Sequence, residues 1–207
     1  MLDFFCMNYR PGVIGLVGTT DMLGRAIRRF QRSLGQDGKP SWWSHCFVMG
    51  EWRLDRRGVE GAIARSLYIF ESAIDFDRRG RFIHGGAQES WIGKWCRAEN
   101  DHAAIIDWDL TLTERDTVFA TALQLADEHV TYPLQELIGT WLAIIRKRQA
   151  LENPFDDPHA MYCSSFIRHC YRAAGRDFLS DKISESNTTP EHIAAAGARA
   201  YRLKLFR

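Results

Sequence analysis

Apolar positions along this chain alternate between two spacings, and the switches predict its elements. Val13, Ile14, Leu16 and Val17 form a short apolar run that predicts a buried strand ending at Gly18. The spacing then lengthens. Leu23, Ile27, Phe30 and Leu34 share one face of a helix that Thr19, Thr20 or Asp21 can cap. Residues 41–50 are aromatic and β-prone and predict a strand, with His45, Phe47 and Met49 on one side and Ser44, Cys46 and Val48 on the other. A second such strand is predicted at 67–73, after a charged, glycine-punctuated excursion over 51–65. Residues 74–86 carry two arginine-rich turns and a short strand ending near Ile83. A brief helix is expected at 88–95 and a strand at 103–110. Helical spacing dominates afterwards. Thr113, with Asp116 at capping-box distance, should start a helix running to about His129 that buries Val118, Phe119, Ala122, Leu125 and Ala126. Pro133 opens another through about Arg148. A third begins at Cys163 and stops near Gly175, and a polar loop, a short helix after Pro190 and a last strand over 200–206 complete the chain. Strands early and helices later predict an α+β fold, a small antiparallel sheet packed against helices. A length of 207 residues suits a single domain spanning 1–207.

Composition narrows the function. The net charge is +1, so no overall electrostatic case exists for a nucleic-acid partner. The basic runs at 25–32, 53–57, 78–81 and 146–148 read as solvated faces, the alternative being a platform for anionic headgroups or an acidic substrate. Five cysteines (Cys6, Cys46, Cys96, Cys163 and Cys170) contain no CxxC pair and cannot all be bridged, which points to a reducing compartment. The first residues lack a secretory pattern and no apolar stretch reaches membrane-spanning length, so a cytoplasmic location without a transmembrane segment is expected. Gly15 to Gly18 is not followed by Gly-Lys-Ser/Thr, which excludes a phosphate loop. His84, Cys96, His102, Asp107, His159 and His169 show no tight ligand spacing, so no metal or other cofactor is called for.

The chemistry concentrates at Tyr162-Cys163-Ser164-Ser165-Phe166. Phe166, Ile167, Cys170, Tyr171 and Ala174 follow Cys163 at i+3, i+4, i+7, i+8 and i+11, the buried face of an amphipathic helix. Cys163 therefore falls on the first turn, where free backbone N–H groups and the helix dipole favour a thiolate. The plain alternative is a small core hydrophobe, the reading that fits Cys170 and Cys46. His45 lies on a strand, where a hydrogen-bonded core histidine is the ordinary outcome. Glu71 places a carboxylate in the apolar body of Leu67-Tyr68-Ile69-Phe70-Glu71, costly unless paired, and a histidine on a neighbouring strand is its most economical partner. Nucleophile, base and orienter together make the generalised triad. His159 is the second choice of base, and His169 is expected to be an exposed helix residue.

A strand bearing Ser44-His45, a later strand bearing Glu71 and a late helix opening Tyr162-Cys163-Ser164 resemble the circularly permuted, YiiX-type branch of the NlpC-type papain-like cysteine hydrolases. In the unpermuted family the cysteine helix precedes the histidine strand; here the order is His45, Glu71, Cys163. Pro11-Gly12-Val13-Ile14 is similar to the opening "PGDI" strand, with Val13 in place of the acidic residue. Gly85-Gly86-Ala87-Gln88 resembles the family's turn before a short helix, and Thr131-Tyr132-Pro133-Leu134 its "YD" segment, with Leu134 in place of Asp. The resemblance spans residues 11 to 175. It implies a permuted papain-like fold with Cys163 as nucleophile, His45 as general base and acid, and Glu71 orienting His45. It also implies amide hydrolysis, in a cell-wall or other peptide, through an acyl-thioester. The alternatives are a lipid acyl hydrolase or acyltransferase on the same triad, and a binding module without turnover. Peptide, peptidoglycan fragment or acyl-lipid are the corresponding partners. Trp42, Trp43, Trp141 and Ile145 could build an apolar patch for an acyl chain, but most are expected in the core.

Overall fold

The structure is a computed structural model that describes residues 1–34, 38–54, 65–76, 82–131 and 161–206. Its centre is a sheet of β1 (Ile14–Gly18), β2 (His45–Leu54), β3 (Arg65–Phe76), β4 (Phe82–Trp91), β5 (His102–Ile106) and β6 (Leu203–Leu205). The strands lie in the order β4-β3-β2-β1-β5-β6, each antiparallel to its neighbours. Apolar alternation gives the sheet two buried faces. Ile14, Leu16, Cys46, Val48 and Phe70 pack on one side against α3 (Leu112–Asp127), α4 (Cys163–Ala173) and α5 (Pro190–Arg199). Val17, Phe47, Met49 and Ile69 pack on the other against α1 (Leu2–Met7), chiefly through Phe5. The α+β class and the small antiparallel sheet are thus as expected.

Several boundaries move, for local reasons. Helix α2 (Met22–Phe30) is capped by Asp21, which accepts from the Gly24 N–H, but only Gly24 in it is buried. A Cβ there would stand 1.8 Å from Thr19 Oγ1, so the helix seats on the chain through this glycine. Leu23 and Ile27 stay half-buried and Phe30 is exposed, so the inner stripe expected of this helix is not a core stripe. Described residues of 51–65 extend β2 and β3 rather than leaving the sheet. The helix expected at 88–95 is absent: β4 runs on to Trp91 because β3 offers a continuous partner from Tyr68 to Asp75, and a 3-10 turn, Ile92–Lys94, follows. The turn resembled at 85–88 also lies within β4. Gly86 there has φ +145° and leaves room for Val130 O, which accepts from the Ala87 N–H.

Strand β5 stops at Ile106, where Asp107 accepts from the backbone of Asp109, a residue with φ +52°. The third helix starts two residues early, with Thr111 and Glu114 forming the capping box. Helix α1 was not foreseen. Its neighbour at the far end of the chain is Phe206, whose ring meets Phe4 edge-on at 5.5 Å. The helix expected from Pro133 to Arg148, with Trp141 and Ile145, lies outside the described residues, as does His159.

Candidate active site

Helix α4 holds the cysteine. Phe166, Ile167, Cys170 and Tyr171 are fully buried against the sheet, which fixes the helix axis. Arg168, 1 % exposed, ties its other side to the following loop through paired bonds to Asp177 of 3.0 and 2.9 Å. Cys163 is its first residue, on the turn where backbone N–H groups and the helix dipole favour an anion, and the Tyr162 side chain does not cap it.

Strands β2 and β3 hold the other two residues. The pairing of Val48 with Phe70 and Met49 with Ile69 sets His45 and Glu71 on one face as diagonal neighbours. His45 Nε2 meets Glu71 Oε2 at 2.7 Å. That leaves Nδ1 on the other side of the ring, and the Cys163 thiol interacts electrostatically with His45. His45 opens β2, so Cys163 reaches the ring at the strand's end and also meets the thiol and backbone N–H of Cys46, the next residue. The structure therefore brings His45, Glu71 and Cys163 together. His169 pairs instead with Glu185 at 2.8 Å, and Cys170 is core.

Four further residues complete the cluster, and three of them come from the stretch misread as helix. Trp95 Nε1 donates to Glu71 Oε2 at 2.7 Å, and its ring stacks on His45 with centroids 4.1 Å apart. Ser90 donates to Glu71 Oε1, and Lys94 Nζ lies 2.6 Å from the same oxygen. The fourth is Cys46. An alternation of Gln88 and Ser90 on a strand face could have signalled the polar lining; Trp95 stands out in the sequence only as one of four tryptophans, with Trp42, Trp43 and Trp91, that could line a groove, and nothing signals Lys94.

The electrostatics follow from these contacts. The hydrogen bond from Cys46 holds the Cys163 thiol well below its ordinary range, and His45 adds to that against the cost of burial. Burial opposes a charged His45, but Cys163 and Glu71 outweigh it and lift the imidazolium to about 9. Burial likewise opposes ionised Glu71, and Lys94 and His45 hold it down at about 2. Cys46 is pushed well above its usual range by burial. The favoured state is a thiolate beside an imidazolium, a pair able to attack a carbonyl and then to give up a proton.

A cleft of about 660 Å³ leads to His45 and Ser44. Leu23, Ile27, Ile74 and Trp95 give it an apolar wall, and Asp21, Asp75, Lys94, Arg97 and Asn100 a polar one. Cys163 does not line it and is 2 % exposed; the thiol meets the cleft through His45. Trp43 is buried and Trp42 is 53 % exposed, stacked on His102. Among the described residues no three histidine, cysteine or acidic side chains converge as metal ligands, and no helix is long and apolar enough to cross a membrane.

No family model matches the chain, and no curated protein matches it. A solved structure does: the metalloprotein yiiX from Escherichia coli O157:H7, of the DUF1105 group, covers 96% of this chain and 96% of its own, with a TM-score of 0.52 and 11% identity. The likeness is one of fold. It extends over nearly the whole α+β chain, and at that identity it says nothing of which residues act.

Proposed function

We propose that the protein is a cysteine hydrolase of the permuted papain-like type that cleaves an amide bond in a peptide, with Cys163 as nucleophile, His45 as base and acid, and Glu71 orienting His45. One observation carries this reading: a buried cysteine on the first turn of a helix lies beside an imidazole whose Nε2 is held at 2.7 Å by a buried carboxylate, and the thiol and the ring interact electrostatically. A structural cysteine has no need of that arrangement. The resemblance to the NlpC-type family and the fold likeness to yiiX support it.

The substrate enters along the cleft as far as His45, and the sulfur lies behind that ring. The Cys163 thiolate adds to the carbonyl carbon, and the C=O electron pair moves to oxygen, where the Cys163 N–H and its first-turn neighbours stabilise it. The tetrahedral centre collapses. The C–N bond breaks, and the departing amine takes the proton from His45, leaving an acyl-thioester and neutral imidazole. His45 then removes a proton from water as it attacks the thioester, and the carboxylic acid leaves with thiolate and imidazolium restored. Glu71 holds one tautomer throughout.

The mixed lining of the cleft favours a peptide, whose own amides need polar partners. An acyl chain would instead be held by a continuous apolar wall, at about 0.8 kcal/mol per methylene. Incubation with muropeptides and, separately, with phospholipid vesicles tests the assignment. Amine release from the peptide, lost in Cys163→Ala, is expected. Fatty-acid release without peptide cleavage would replace the substrate class, and turnover surviving Cys163→Ala would end the nucleophile assignment.

A further inference from the structure

Lys94 belongs to none of the three roles above, yet it lies at the inner end of the cleft beside them. Its Nζ stands 2.6 Å from Glu71 Oε1 and 2.9 Å from Asp75 Oδ1, and the side chain is 18% exposed. The groups facing this ammonium come from each neighbouring element. Strand β3 presents Glu71 and Asp75, and β4 presents Gln88, which donates to Asp75 Oδ2 at 3.1 Å. Strand β2 presents His45 across the indole of Trp95. That indole has Lys94 Nζ at 5.2 Å from its centroid and the imidazole at 4.1 Å, so both cations contact the same ring. Arg97 and Glu99 belong to the cleft wall farther along the same turn.

Charge counting shows what Lys94 does. With the thiolate formed, the site holds three anions (Glu71, Asp75 and Cys163) against two cations, His45 and Lys94. Without Lys94, three anions face one cation in ground where Glu71 and Cys163 are almost wholly out of water. Such a site relieves itself by taking up a proton, on the carboxylate or on the sulfur, and either event weakens the thiolate.

We propose that Lys94 is a positioning residue of the candidate active site: by bridging Glu71 and Asp75 it keeps Glu71 ionised against His45, and so extends the Cys163–His45 ion pair to lower pH. This rests on the reading of Cys163 and His45 given above, and adds to it a residue that touches neither the thiol nor the reacting bond.

The test needs no substrate. The purified protein is labelled briefly with iodoacetamide across a pH series, and the rate at Cys163 is read by peptide mass spectrometry. In Lys94→Met the acid midpoint of that rate should rise by about one pH unit or more, and Lys94→Arg should restore it. Asp75→Asn removes an anion from the same bridge, so its midpoint should move down. Opposite signs from the two neutralising variants cannot come from general loosening of the fold. If Lys94→Met does not fold, Lys94→Gln with Asp75→Asn carries the same comparison. Profiles that coincide, or that move the same way in both variants, overturn the assignment of Lys94. Slow labelling of Cys163 in the unsubstituted protein, no faster than Cys46 or Cys170, overturns instead the reading on which it rests.

Discussion

Glu71 accepts from His45, Trp95, Ser90 and Lys94, and that saturation lets a fully buried carboxylate stay charged. The pH dependence of stability should follow. The carboxyl sits at about 2 in the fold against an ordinary 4.5, so its contribution is complete above 4.5 and is lost as pH falls through about 2. Urea midpoints between pH 5 and 2 should fall, and Glu71→Gln should flatten that part of the profile. The Cys163–His45 pair behaves differently. Between the ordinary histidine value of 6.5 and about 9, the unfolded pair holds one proton on sulfur and the folded pair holds one on imidazole. The proton count is equal, so the pair adds no slope there. Individual side chains were the most legible level of this sequence. Cys163 announced itself by its place on an apolar stripe, and Glu71 by being a carboxylate in a strand. Lys94 did not, and Trp95 showed only as one of several tryptophans that could line a groove, because their contacts with Glu71 come from a turn that brings them under β3, and no local spacing encodes that.

Among elements, legibility followed how much of the folding signal was local. The cysteine helix declared both ends, since its stripe is regular and Gly175, with φ +74°, closes it. Strand β4 did not, because Gln88 to Trp91 are extended by their partners on β3 and not by their own preference. The cap lies at Thr111 and not at Thr113 because two Thr-x-x-acid spacings overlap here, and the reciprocal bonds form between Thr111 and Glu114. What holds α4 to the loop behind it is Arg168, whose guanidinium is out of water and doubly bonded to Asp177. Arg168→Met should cost about 3 kcal/mol, because it strands Asp177 and the carbonyls of Ser180 and Ile183. Urea unfolding followed by tryptophan fluorescence measures that loss. Labelling of the folded fraction should still favour Cys163, since Arg168 supports the helix from the side away from the thiol.

For the whole molecule, one sheet with two covered faces explains why 207 residues hold both a core and a buried charged cluster: the strands carry His45 and Glu71 while the helices bring Cys163 to their end. The α+β class was legible because strands and helices are segregated along the chain, while the strand order was not, since β6 joins β5 from the far end of the sequence. That meeting of far ends has a consequence for synthesis. The Phe4 and Phe206 rings meet, and Lys204 reaches Asn8, so a short linker could join the segment after β6 to α1. The protein could then be opened at the exposed turn of Ala98 and Glu99. A ribosome would now make Cys163 before His45 and Glu71, moving the cysteine from last to first of the three. The finished contacts depend on adjacency in space and not on succession in time. The recut protein should therefore unfold in a single cooperative step and keep Cys163 as its fastest-labelling thiol, and a broad, non-cooperative transition would show that birth order matters after all.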